Sequence, residues 1–234
     1  MLLGALGAIW KASSGADQDR RAAANITPAR IGAVVSRSAS TPRIRLLQVY
    51  YVLLLATVAV VDPRWSHSGA GRLLELGGLA LIALATLGRI WATLFIAGRK
   101  DADVIDSGPY GRCRHPLYVS SMVASLGLGL ATQSLVLTAL TATLSIVVHV
   151  TAALGEERRL VESARIDYAQ YAARVPRFWP KAAGAATPQA LTVNAVIYWK
   201  AFLDGASFFG LYLALELIAA ARAAGCWQTL ASVY

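Results

Sequence analysis

The chain has 234 residues, of which 56% are hydrophobic and only 15% charged, and its formal net charge is +9. Soluble domains carry about 25% charged residues, so these proportions exclude an ordinary soluble domain and point to a single polytopic membrane domain. Two cysteines, Cys113 and Cys226, exclude a framework of disulfides, and neither they nor His67, His115 and His149 fall at metal-ligand spacings.

Met1 to Trp10 is apolar but ten residues long, with no basic region ahead of it. It is expected to be an interfacial helix or a frayed end rather than a cleaved signal. Residues 1–45 as a whole read as a basic cytoplasmic arm, broken by Pro28 and Pro42. The arm either touches anionic headgroups, at about 1 kcal/mol per basic residue, or is a solvated tail. It offers no folded basic surface for nucleic acid.

Residues 46–97 are expected to hold two spanning helices. The first runs from about Leu46 to Val61 and stops at Asp62-Pro63-Arg64, where proline cannot continue the ladder. The second runs from about Leu73 to Ala97, long enough for about 30 Å of hydrocarbon. Arg89 lies inside it, either snorkelling or paired internally, or lining a polar cavity as a cation.

Residues 98–187 carry the chemistry. Asp106-Ser107-Gly108-Pro109-Tyr110 reads as a turn. Arg114-His115-Pro116-Leu117-Tyr118 then opens a third helix, with His115 near its N-cap and Pro116 in the first turn. That helix ends near Ala131, and only Thr132-Gln133-Ser134 separates it from the next apolar run, Leu135 to Leu154. The two are therefore expected to form a tight antiparallel pair. The fourth helix is expected to continue through Glu156 and Glu157 to about Ala173, with Arg158 and Arg159 facing water or headgroups. Pro176 and Pro180 then bracket Arg177-Phe178-Trp179, read as an interfacial anchor or, preferably, as a lid folding back on a ligand. Residues 188–234 hold a last apolar segment, about Leu191 to Ala221. Lys200 and Asp204 lie one turn apart in it, and a break near Gly205 is equally open.

The expected fold is thus all-α, a polytopic transmembrane helical bundle of about five membrane segments with a cytoplasm-facing pocket. Seventeen of the 22 basic residues fall on the side of the N-terminal arm and the two polar stretches, against Arg64, Arg72 and Arg222 opposite. That bias puts the N-terminus and the site in the cytoplasm. The residues alone indicate a polar ligand meeting a lipophilic one and do not name a reaction.

Gly108-Pro109-Tyr110, Arg114-His115-Pro116-Leu117-Tyr118, Glu156-Glu157, Tyr168-Ala169-Gln170-Tyr171 and Arg174-Val175-Pro176 together resemble the isoprenylcysteine carboxyl methyltransferase family, which is related to the membrane phospholipid methyltransferases. The resemblance covers about Leu87 to Pro180. It implies an S-adenosylmethionine-dependent methyltransferase acting on a lipophilic acceptor at the bilayer. By that resemblance Ala102, Asp103, Val104, Ile105, Tyr110, His115, Pro116, Leu117, Tyr118 and Glu156 would bind the cofactor. Arg114, His115 and Glu156 would form the catalytic set. Arg89, His149 and Glu157 are the candidates for contact with the acceptor. The family's eukaryotic members carry an arginine one turn before the glutamate, where this chain has Ala152. Two other classes remain open at this point: an NADPH-dependent membrane reductase of the sterol reductase type, and a non-catalytic scaffold in which His115 and Glu156 pair to seal a helix junction.

Overall fold

The computed structural model describes residues 41–63, 65, 68–97, 105–162, 166–182, 188, 190–191, 193–226 and 231–233. Most of the basic arm, His67, and the predicted cofactor residues Ala102, Asp103 and Val104 lie outside the described residues.

Six helices make up almost all of the described structure: α1 (Thr41–Val60), α2 (Gly69–Ile96), α3 (Pro116–Ala131), α4 (Leu135–Glu162), α5 (Ile166–Arg174) and α6 (Ala195–Ala223). Four of them, α1, α2, α4 and α6, are long and apolar enough to cross a membrane. The fifth membrane segment expected from sequence, α3, has 16 residues and so reaches about 24 Å, short of a full span. The bundle exposes large apolar side chains such as Val52, Leu73, Leu84 and Leu217, as a lipid-facing surface requires. Two three-residue strands, β1 (Val61–Pro63) and β2 (Ala231–Val233), pair in parallel, a detail absent from the sequence reading.

Local signals set the helix starts. Ser68 caps α2 by accepting from the Gly71 N–H, and Asn194 caps α6 by accepting from the Ile197 N–H. Pro116 takes the first turn of α3, where its missing N–H leaves no bond unmade. The turn between α3 and α4 is as short as expected, and Gln133 crosses it in the left-handed region at φ 56°. Its side chain donates to Glu75 on α2 at 2.8 Å, tying that turn to a third helix.

Packing of α2 on α3 depends on small residues. A Cβ at Gly78 would run into the Gly127 carbonyl, and one at Gly127 would stand 2.6 Å from the Gly78 carbonyl. Two helices can approach this closely in a membrane only where side chains are nearly absent. Ser120, Ser121 and Ser125 on α3 return their hydroxyls to the carbonyls four residues back, at 2.8–3.0 Å, so the polar face satisfies itself. Beside this seam Leu54, Val58, Ile82, Leu128, Leu137 and Leu215 form the apolar core.

The helix expected to run to about Ala173 is described as α4 up to Glu162 and as α5 from Ile166 to Arg174, with residues 163–165 outside the described residues. A break near Gly205 does not occur; α6 runs through it without interruption. Gly205 is buried there, next to the Arg89 side chain, so the missing side chain serves packing and not a kink.

Candidate functional site

The end of α2, the start of α3, the end of α4 and the start of α6 all lie at one end of the bundle, and the chain between them builds the site. The loop after α2 turns through a short 3-10 segment, Gly108–Gly111, whose four residues are buried. Gly108 has φ +56°, and a side chain there would strike the Phe95 ring, so the position requires glycine. The loop then reaches His115, the N-cap of α3.

Glu157 is the hub of this end. It is 7% exposed. His115 Nε2 lies 2.9 Å from its Oε1 and Arg114 Nη1 lies 3.0 Å from the same oxygen. Arg177 donates to the other oxygen from Nε at 3.0 Å and Nη2 at 2.7 Å. Burial holds the His115 imidazole below its ordinary 6.5, against the pull of Glu157 and Glu156. With two guanidinium groups already on Glu157, a neutral ring that donates Nε2–H is the favoured state. The scaffold reading paired His115 with Glu156; the ring bonds Glu157 instead.

Glu156, one residue earlier, points elsewhere. Its Oε2 accepts from the Tyr118 hydroxyl at 3.0 Å. Tyr118 stacks on His115 with centroids 5.4 Å apart and planes 12° apart, and leans on His149 at 5.6 Å. His149 Nδ1 lies 2.7 Å from the Ser145 carbonyl. A carbonyl only accepts, so Nδ1 carries the hydrogen and Nε2 is left as an acceptor.

The segment between the prolines folds back onto this loop. Pro176 and Arg177 carbonyls accept from the N–H groups of Arg114 and His115 at 2.9 and 3.3 Å, and the Lys181 N–H donates to the Arg112 carbonyl at 3.1 Å. Phe178 covers the His115 ring at 5.8 Å, while Trp179 is 87% exposed. His115 is thus packed between Tyr118 and Phe178 and bonded at Nε2. No periodicity in the sequence marks Arg177 as the group that completes Glu157.

Tyr110 is 7% exposed and packs on Ala92 and Phe95. Its carbonyl accepts from the Tyr171 hydroxyl at 2.8 Å, which docks α5 on the loop. Its own hydroxyl is buried with no hydrogen-bond partner, and burial pushes that phenol above its ordinary range. Burial also pushes the Cys113 thiol up to about 11. Arg114 Nε and the Tyr168 hydroxyl are buried without a standard hydrogen bond but lie in electrostatic reach of one another. Ile105 packs against the Tyr110 cluster, as does Leu117. Arg89, on α2, donates from Nη1 to Ser121 Oγ at 2.9 Å.

The structure therefore brings Tyr118, Glu156, His115, Pro116, Leu117 and Tyr110 to one end of the bundle. Glu157 is taken up by Arg114, His115 and Arg177. Arg89 and His149 lie deeper, along the helices. Among the described residues no group of three or more His, Cys, Asp or Glu is placed to hold a metal ion.

Fold and site together define a polytopic helical membrane protein with a polar, partly unsatisfied cluster at one end. Residues 73–166 match the model of the isoprenylcysteine carboxyl methyltransferase (ICMT) family. The chain is 34% identical over 189 residues to the cobalt-zinc-cadmium resistance protein CzcN of Cupriavidus metallidurans, covering 81% of this chain and 87% of that protein. It is 29% identical over 180 residues to the nickel-cobalt-cadmium resistance protein NccN of Alcaligenes xylosoxydans xylosoxydans, covering 77% and 84%. No solved structure matches it. The chain belongs to the isoprenylcysteine carboxyl methyltransferase family, a family of membrane methyltransferases.

Proposed function

We propose that the protein is a membrane methyltransferase that takes S-adenosylmethionine at the Tyr118–Glu156 end of the bundle and passes its methyl to a lipophilic acceptor. The observation that carries this reading is the Tyr110 hydroxyl, buried and without a partner, in electrostatic reach of Glu156. A buried hydroxyl left unbonded costs free energy until something answers it. A polar ligand lodged between Tyr110 and Glu156 would do so. When bound, the group supplies an electrophilic methyl carried on a sulfonium sulfur.

The chain's own residues do the rest. Glu156 offers one carboxylate oxygen to the ligand's ammonium or hydroxyls while its other is held by Tyr118. His115, fixed on Glu157 and covered by Phe178, keeps the Tyr118 ring in place and excludes water from its inner face. Pro116 and Leu117 line the start of α3 beside them. Alignment of two reactants in this way contributes up to about 7–11 kcal/mol in well-oriented cases; a carboxylate acceptor would release no proton on methylation, whereas an amine or hydroxyl acceptor would need a base to take one. The functional division follows: residues 98–187 carry the methyl-transfer core, 46–97 and 188–234 frame it, and 1–45 form a basic arm. The site faces the cytoplasm, where the soluble donor is found.

The names of CzcN and NccN add resistance to cobalt, zinc, cadmium and nickel ions. We infer that this protein serves such resistance by methylating a membrane component. Equilibrium binding of radiolabelled S-adenosylmethionine to the detergent-purified chain tests the core of the proposal. Wild type is expected to bind, Glu156→Gln and Tyr118→Phe to bind roughly tenfold or more weakly, as loss of a charge-assisted bond predicts. Absence of binding by wild type, or depletion of NADPH in its place, would sink the reading. Cadmium and zinc tolerance of cells carrying wild type or Glu156→Gln tests the second part; equal tolerance with a binding-dead variant would exclude it.

A further inference from the structure

His149 stands on α4 seven residues before Glu156. Two helical turns separate them, so they share one face of the helix, with His149 about 10 Å deeper in the apolar span. Tyr118 joins the two levels. Its hydroxyl donates to Glu156 Oε2 at 3.0 Å, and its ring meets the His149 ring at 5.6 Å between centroids. The imidazole is held from one side. Nδ1 gives its hydrogen to the Ser145 carbonyl at 2.7 Å, with Ser145 Oγ 3.3 Å away. Among the described residues nothing bonds to Nε2, and the side chain is half-buried, so that lone pair is open to a ligand.

Hydrocarbon disfavours a charged ring, and among the described residues no carboxylate pairs with His149. A neutral imidazole with a free Nε2 accepts a hydrogen bond. It repels a carboxylate oxygen, which also only accepts. The position therefore selects a ligand group that carries a hydrogen. An ammonium would add a third cation to Arg89 and Arg43, both in electrostatic reach of His149. The group that fits is a hydroxyl. Ile146 and Val147, beside His149 on α4, are exposed, so an apolar tail attached to that hydroxyl has lipid to lie in.

We propose that His149 is the general base of the transfer and that the methyl acceptor is a lipophilic alcohol or phenol whose hydroxyl donates to Nε2; this rests on the methyl-transfer reading above. In the step, the hydroxyl oxygen forms a bond to the methyl carbon. The carbon–sulfur bond breaks, its electron pair goes to sulfur, and the hydroxyl proton moves to Nε2. One cation, the sulfonium, disappears as another, the imidazolium, forms. The apolar surroundings therefore see no net change of charge, which keeps the cost of protonating a ring at this depth low. Nε2 gives its proton to water once the ether has left.

The first test needs no methyl donor. It is thermal unfolding of the full chain in a neutral detergent with 4-dodecylphenol or its methyl ether added. The phenol donates a hydrogen bond and the ether cannot. Wild type should be half-saturated by the phenol at a concentration roughly five- to tenfold lower, the worth of one such bond, and His149→Phe should treat the two alike. Equal half-saturation in wild type, or a preference kept by His149→Phe, would overturn the proposal. The second test supplies radiolabelled S-adenosylmethionine and lipid extracted from membranes that lack the protein. The label should enter a product that survives mild alkali, as an ether does; label released as methanol marks a methyl ester and would overturn the hydroxyl assignment. His149→Ala should turn over about a hundredfold or more slowly with its affinity for S-adenosylmethionine unchanged. Added imidazole should restore part of that rate, and pyrazole, of the same shape but hardly basic, should not. Rescue by both or by neither would overturn the role of base. Should His149→Ala not fold, the alkali test on wild type decides alone. Wild type that fails to bind S-adenosylmethionine would instead sink the methyl-transfer reading, whatever its preference for the phenol.

Discussion

At the scale of single residues, two adjacent glutamates are given different surroundings. Helical geometry points neighbours in different directions, so Glu156 meets Tyr118 while Glu157 meets Arg114, His115 and Arg177. Removing the Glu157 charge leaves Arg114, largely buried, without its counter-ion. Breaking a buried pair this way costs about 3–5 kcal/mol, and the half-exposed Arg177 moves the expected value towards about 3. Glu157→Gln should therefore lower the melting temperature in detergent clearly more than Glu156→Gln, which loses one hydrogen bond. Equal stability of the two variants would contradict the hub assignment. His115 adds a pH dependence with a defined sign. Its folded pKa lies below its ordinary 6.5 because it is buried, so on acidification the unfolded chain takes up the proton first. Stability is full above about pH 6.5 and falls as the pH drops below that value. Melting curves at pH 7.5 and 5.5 should show this loss in wild type and a smaller one in His115→Gln. The pattern of Arg114-His115-Pro116 and Glu156-Glu157 announced in the sequence that these groups belong together. It did not announce the partner of each, because Arg177 is brought in by a fold-back of the chain 20 residues later, and no periodicity records that. The unbonded hydroxyl of Tyr110 was equally illegible, since an orphaned donor is a property of packing.

At the scale of elements, the spans were readable because their signal is length and apolarity, which act locally. The helix starts of α2, α3 and α6 follow from Ser68, Pro116 and Asn194, each a capping or first-turn residue. The seam between α2 and α3 is a different kind of information. Gly77 and Gly78 are indistinguishable as letters, yet a side chain on Gly77 meets open space and one on Gly78 meets the Gly127 backbone. Gly78→Ala should push the two helices apart at about 1–3 kcal/mol, the usual cost of overpacking. Gly77→Ala should be neutral or slightly stabilising, because alanine is the better helix former. Because α3 carries Tyr118, the Gly78 variant should also weaken binding at the site, while its neighbour leaves it intact. Parallel melting and binding measurements on the two variants check this. Identical behaviour would mean that the close approach of α2 and α3 is not needed.

At the scale of the whole molecule, alternate helix directions bring the Arg114–Tyr118 and Glu156–Glu157 stretches to one end. The start of α6 is tied to the end of α2 there, the Asn194 N–H donating to the Ala97 carbonyl at 3.2 Å. At the other end Arg222, near the close of α6, donates to the carbonyls of Val58 and Val61 at 3.1 and 2.8 Å and lies 3.5 Å from Asp62. The two ends differ sharply in basic residues, and short basic loops stay on the cytoplasmic side. Orientation then becomes a measurable consequence of the charge pattern. The chain's two cysteines serve as built-in reporters: Cys113 is buried at the site end and Cys226 is exposed just beyond α6, at the other. In intact cells a membrane-impermeant maleimide should label the protein, and Cys226→Ser should abolish that labelling while Cys113→Ser leaves it unchanged. Labelling of Cys226 only after the membrane is opened would reverse the orientation and turn the candidate site away from the cytoplasm. The same result would leave the Glu157 hub and the α2–α3 seam untouched, since neither depends on which face of the bilayer is inside.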